Sequence, residues 1–186
     1  MKHIRLPLTE ADIAALQAGD EVLLSGPLYT ARDAAHQRLC RCLQEGKPLP
    51  VELAGETVYS VGTSPAKPGA VIGSAGPTTS GRMDAYSPRL LDLGQSIMIG
   101  KGARNQAVKD AVVRNGAVYL AALGGAGALM AASVESLEVI CWEDLGCEAV
   151  RRLEVKDFPL TVILDAHGGD LYQAGPEAYL TARAGK

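Results

Sequence analysis

Aromatic residues are scarce in this chain. They make up 4% of its 186 residues, with one phenylalanine, Phe158, and one tryptophan, Trp142. The core must therefore be built from Val, Leu, Ile and Ala, and a hydrophobic fraction of 47% with 21% charged residues supplies enough of them to exclude disorder. A basic excess is missing too. Lys and Arg number 18 against 21 Asp and Glu, a formal net charge of −3, so no broad cationic stripe exists to collect the phosphates of a nucleic acid. A small anionic ligand is not excluded, because a few local cations suffice to hold one. No stretch approaches the roughly 20 apolar residues that cross a bilayer. Met1-Lys2-His3-Ile4-Arg5-Leu6-Pro7 also lacks the apolar run of a signal peptide. The four cysteines, Cys40, Cys42, Cys141 and Cys147, suit reduced thiols better than a disulfide framework. The expected location is cytoplasmic.

Residues 1–186 fit one domain. Thr9 and Asp12 read as a capping box for a short helix, and Thr30 and Asp33 as a second box for a helix that Gly46 ends. Short strands are expected at Val22–Leu24, broken by Ser25-Gly26-Pro27, and then at Val51–Leu53, Thr57–Val61 and Ala70–Gly73. A helix carrying Met83, Tyr86, Leu90 and Leu91 follows. Next come a strand at Ile97–Ile99, a helix from about Asn105 to Arg114 and a strand at Val118–Leu120. The end of the chain reads as three strands, Leu137–Cys141, Ala149–Val155 and Leu160–Leu164, with a hairpin-like turn at His167-Gly168-Gly169. Strands alternating with helices predict an α/β fold, a mixed sheet with flanking helices and an antiparallel C-terminal part.

Three segments have the residue types for anion chemistry. In Thr30-Ala31-Arg32-Asp33-Ala34-Ala35-His36, Arg32 and His36 are four apart and share one side of the helix. A guanidinium in a first turn runs against the dipole preference there, yet beside free N–H groups it makes a carboxylate receptor. Spacing alone slightly favours the plainer reading, a surface cluster of Arg32 with Asp33 or His36. In Gly76-Pro77-Thr78-Thr79-Ser80-Gly81-Arg82-Met83-Asp84, three hydroxyls and an arginine exceed what a helix cap needs. In Gly100-Lys101-Gly102, a lysine between glycines ends a strand, where it can lean on an anion. Gly124-Gly125-Ala126-Gly127 lacks the lysine–hydroxyl pair of a phosphate loop. Cys40 and Cys42 point to opposite sides of a helix, and Cys141 and Cys147 have no ligand-like spacing, so no metal site is expected from this chain. His3 and His167 receive no role.

The three segments, in this order, resemble the C-terminal half of class I iron–sulfur fumarases, a half that also exists as the separate β subunit of two-subunit fumarases and tartrate dehydratases. The stretch from Glu148-Ala149-Val150 to Phe158-Pro159 is similar to that family's tail. The resemblance implies a swivelling β/β/α domain and reversible hydration of an unsaturated dicarboxylate, fumarate first, with tartrate or mesaconate as alternatives. It implies a [4Fe–4S] cluster bound by a partner α subunit and not by this chain. By position it assigns substrate carboxylates to Arg32, Arg82 and Lys101, and the carbon-bound proton to Thr78, with Thr79, His36 and Asp33 as the other catalytic candidates. Gly81 looks more like the fumarases than the tartrate dehydratases. The rival from another class is a non-catalytic carboxylate- or phosphate-binding module.

Overall fold

The computed structural model describes residues 1–184. Its centre is a mixed sheet in which β2 (Glu21–Thr30), β3 (Thr57–Tyr59), β4 (Ile97–Gly100) and β5 (Val118–Ala121) run parallel. Strand β7 (Val150–Leu164) is antiparallel to both β5 and β2, and so closes these five strands into a barrel-like ring. Two further strands flank the ring. β1 (Lys2–Arg5) lies parallel to β2, and β6 (Val134–Cys141) lies antiparallel to the first half of β7.

Period-2 alternation decides what each face buries. Ile97 and Ile99, Val118 and Leu120, Tyr59 and Phe158 belong to one apolar cluster with Val22, Leu24 and Leu28. Their neighbours Val58, Met98 and Tyr119 face the other way. There they pack under α2 (Asp33–Gln44), α3 (Ser87–Leu91) and α4 (Gln106–Arg114). The lone phenylalanine is fully buried, edge-on to Tyr59 with ring centroids 5.4 Å apart. The expected aliphatic core is therefore present, with one aromatic pair inside it.

The structure corrects several expected elements. Strand β2 does not break at Ser25-Gly26-Pro27 but continues to Thr30, with a bulge between Leu24 and Gly26. The reason is where its neighbours end. β1 covers Val22–Ser25 and β3 covers Tyr29–Thr30, so Pro27 falls in a gap where its missing N–H costs no ladder bond. The two expected tail strands are one strand for the same reason. β6 pairs up to Val155 and β5 begins at Thr161, which leaves Pro159 opposite no partner on that side. Val51–Leu53 and Ala70–Gly73 are not strands. Val51, Leu53 and Ile72 are buried, but the second segment satisfies its backbone within a loop, Gly73 N–H donating to Ser64 O at 3.1 Å. The helix expected over Met83–Leu91 splits into a 3-10 turn, Ser80–Met83, and α3.

The Thr9 capping box of α1 (Glu10–Ala14) is formed, and Asn105 caps α4 by accepting from Val108 N–H. The Thr30 box is not. Thr30 is the last residue of β2, and its hydroxyl contacts Ala149 O and Arg151 N across the ladder. Arg32 is instead the residue that opens α2, in an extended conformation and without a side-chain cap of its own.

Candidate functional site

The carboxyl ends of parallel strands in such sheets are where ligands bind. Three expected segments meet there. β2 leads directly into Arg32 and Asp33, β3 is followed by Gly62, and β4 ends at Gly100 before Lys101. The loop 77–83 crosses these ends and is pinned to two of them. Thr78 N–H donates to Ser60 O at 2.8 Å, Thr79 bridges Lys101, and Ser80 N–H donates to Lys101 O at 2.8 Å.

Arg82 forms an ion pair with Asp33, joining the 77–83 loop to the start of α2. Arg32 Nη2 lies 3.6 Å from Glu148 Oε1. Lys101 forms no ion pair among the described residues. Arg32, Arg82 and Lys101 are therefore brought to one edge, where two carboxylates, Asp33 and Glu148, leave a net positive charge. Arg32 Nε and Asp33 Oδ1 are buried without hydrogen-bond partners. Buried polar atoms in native proteins are nearly always satisfied, so both atoms are exceptions to that rule.

His36 lies beneath this edge rather than beside Arg32 on the surface. It is buried, and its Nδ1 sits 2.9 Å from Arg32 O. A carbonyl only accepts, so Nδ1 carries the proton. Burial, aided by the charge of Arg104, outweighs the bond to Arg32 O and the charge of Asp33 and holds the imidazole down at about 4. His36 is thus neutral at pH 7 and fixes the backbone of Arg32.

The three hydroxyls do not converge. Thr78 is half-buried and Thr79 exposed, and neither hydroxyl has a bond among the described residues, whereas Ser80 points inward and is fully buried. Ser80 Oγ accepts from Lys101 N–H at 3.1 Å and meets Tyr119 Oη at 3.2 Å. Tyr119 Oη in turn donates to Gly102 O at 2.9 Å. Ser80 is a structural tie between the loop and β4, and a Cβ at Gly100 would collide with its hydroxyl. Behind it, buried Arg104 pairs with Asp84 at 2.6 Å, bonds Ser87 Oγ at 2.7 Å and lies over the Tyr119 ring. This network fixes the loop that carries Thr78, Thr79 and Arg82 relative to Lys101.

Sequence reasoning missed Glu148, Gly62, Tyr119 and Arg104 as parts of the site. Gly62 had a faint signal, a glycine just after a short strand. A Cβ there would collide with the Arg32 guanidinium. The other three carry no local signal, because they meet the site only through the closed sheet.

This arrangement is a cationic edge with two unbonded threonine hydroxyls, one half-buried and one exposed, on a mixed α/β sheet. The family model described as the fumarase C-terminus matches residues 1–175, and the chain belongs to that family. It is 37% identical over 175 residues to the aerobic class I fumarate hydratase of Escherichia coli, covering 93% of this chain and 31% of that protein. It is 38% identical over 156 residues to fumarate hydratase 2 of Leishmania major, covering 83% of this chain and 28% of that protein. It is also 38% identical over 179 residues to a putative L(+)-tartrate dehydratase subunit beta of Methanocaldococcus jannaschii, covering 93% of this chain and 92% of that protein. The chain thus spans about a third of the fumarate hydratases it matches, and nearly all of the tartrate dehydratase subunit.

Proposed function

We propose that this chain is the carboxylate-binding β half of a two-part hydro-lyase, adding water reversibly across the double bond of fumarate, on a domain of the swivelling β/β/α type. The observation that carries the reading is the meeting of Arg32, Arg82 and Lys101 with Thr78 and Thr79 at one sheet edge. Guanidinium forks suit planar carboxylates, and an ammonium adds a point charge. Together they bind the two substrate carboxylates and steady the negative charge that grows on one of them as the neighbouring carbon loses its proton.

Thr78 Oγ accepts that proton. A threonine hydroxyl is a weak base at neutral pH, so it relies on the surrounding cations to favour its deprotonated form. Thr79 shares the exposed turn. Asp33 holds Arg82, and neutral His36 holds the Arg32 backbone, so both serve as positioning groups.

The residues of this chain do not fit an iron–sulfur cluster. Cys40 is buried in the core, Cys147 is exposed, and no group of three His, Cys, Asp or Glu that could hold a metal occurs among the described residues. The cluster implied by the family is therefore assigned to a partner α subunit, and the reading is that this chain catalyses only in its company. The near-complete match to a subunit named beta supports a separate partner.

That same match favours a second reading, tartrate as substrate. Gly81 does not decide between the two on steric grounds, since a Cβ there would meet only Ala103 O at an ordinary 3.5 Å. The deciding experiment is anaerobic reconstitution with the α partner, following malate from fumarate and, in parallel, consumption of tartrate and mesaconate. Turnover of tartrate alone moves the assignment to tartrate dehydratase.

A further inference from the structure

We propose that Glu148 is a positioning residue that sets the pose of the Arg32 guanidinium and, through it, the affinity for the substrate carboxylate. This rests on reading Arg32 as a carboxylate-binding arm. Glu148 lies 114 positions beyond Ala34 in the chain, yet its Oε2 accepts the Ala34 N–H at 3.1 Å, in the first turn of α2. Arg32 opens that helix without a side-chain cap, so the carboxylate of Glu148 takes the place a capping side chain fills elsewhere. Its other oxygen, Oε1, stands 3.6 Å from Arg32 Nη2. That is close enough to orient a guanidinium and too long to consume its donor in a hydrogen bond.

Arg32 is also bounded by Gly62, where a Cβ would collide with Nη1. Glu148 itself is carried on a braced platform. Arg38 pairs with Asp144 and lies 5.8 Å from the centre of the Trp142 ring. Arg151 donates to the carbonyls of Gly146 at 2.7 Å, Cys147 at 3.1 Å and Ala149 at 3.2 Å. Positive φ at Trp142 and Gly146 bends the 142–148 segment into the turn that delivers Glu148. The braces do not touch the proposed substrate groups, and their combined effect is to place one carboxylate beside Arg32. The Arg32 side chain makes no hydrogen bond among the described residues, and its Nε is buried without a partner. Its terminal Nη groups are held in place without a hydrogen bond of their own, the preorganisation that raises affinity without a new contact.

The test compares Glu148→Gln, which keeps an acceptor for Ala34 N–H but drops the charge, with Glu148→Ala, which drops both, each assembled with the α partner. Glu148→Gln is expected to raise KM for the dicarboxylate about tenfold while kcat stays within about threefold. Adding it to Arg32→Ala is expected to change KM no further, because the effect acts through Arg32. Wild-type KM in Glu148→Gln with a lowered Tm only in Glu148→Ala would overturn the proposal and leave Glu148 as a helix cap. So would an additive double variant. A crystal structure of Glu148→Gln decides the matter separately from activity: an Arg32 guanidinium displaced from Gly62 supports the inference, and one left in place overturns it. A wild-type complex that turns over none of fumarate, tartrate and mesaconate would instead reject the proposed function, with the crystal structure still deciding the role of Glu148.

Discussion

Replacing Gly62 with alanine tests the site without removing any polar group from it. Gly62 is not among the positive-φ glycines, so the backbone accepts a Cβ. The new methyl would collide with Arg32 Nη1 and stand 3.0 Å from Cδ and 3.3 Å from Cζ. The obstacle is the far end of a flexible side chain, so Arg32 gives way and the backbone stays. A charge-assisted hydrogen bond contributes about 1.5–3 kcal/mol. At about 1.4 kcal/mol per tenfold, losing that arm lowers kcat/KM by roughly 10- to 100-fold. Folding is expected to change little or to gain, since glycine to alanine at a compatible backbone stabilises by about 0.4–1 kcal/mol through the unfolded chain. The assay pairs steady-state kinetics of the reconstituted enzyme with a thermal melt. A Gly62→Ala variant with unchanged Tm and full kcat/KM would refute the placement of Arg32 in the receptor.

Three further outcomes are expected. Arg82→Ala loses its pair with Asp33 and one fork for substrate, so KM for the dicarboxylate rises at least about tenfold while circular dichroism stays unchanged, the side chain being about half exposed; wild-type kinetics would remove Arg82 from the site. Thr78→Ala lowers kcat by about 10²-fold or more with KM nearly unchanged if its hydroxyl carries the proton; a change confined to KM would contradict that role. Asp165 is buried, which raises its pKa, but the N–H groups of Ala18, Gly169 and His167 outweigh burial and hold the carboxyl below its ordinary value of 3.8. Its folded pKa is depressed, so its stabilisation is full above pH 3.8 and is lost as pH falls through the lower folded value. Asp165→Asn is expected to cost about 2–3 kcal/mol near pH 7, from buried bonds to a charged acceptor. The difference in Tm between wild type and variant is expected to narrow as the pH drops below that range. A gap constant with pH would contradict the assignment.

The elements legible in the sequence were those whose partners lie close along the chain or whose pattern is strong. Ile97–Gly100 and Val118–Ala121 are short apolar runs between glycine or asparagine turns, and α4 carries its own cap in Asn105. The breaks expected at Ser25-Gly26-Pro27 and between Val155 and Leu160 did not occur, because the prolines there, Pro27 and Pro159, lie where neighbouring strands leave a gap, and that gap depends on register between distant segments. The same limit applied to the site. The order of the segments holding Arg32, Thr78–Arg82 and Lys101 was readable, and the structure brings those segments together. That His36 would be buried and neutral, that Ser80 would turn inward to Tyr119, and that Glu148 would reach Ala34 all depend on the closed sheet.

The cationic, hydroxyl-bearing edge of this chain is proposed to complete a hydro-lyase whose iron is held elsewhere. Anaerobic titration of a cluster-loaded α partner with this chain, monitored at fixed fumarate, measures this most directly. Malate formation is expected to be absent with either component alone and to rise to a plateau at a fixed stoichiometry. Dicarboxylate turnover by the α partner alone, unchanged when this chain is added, would contradict it.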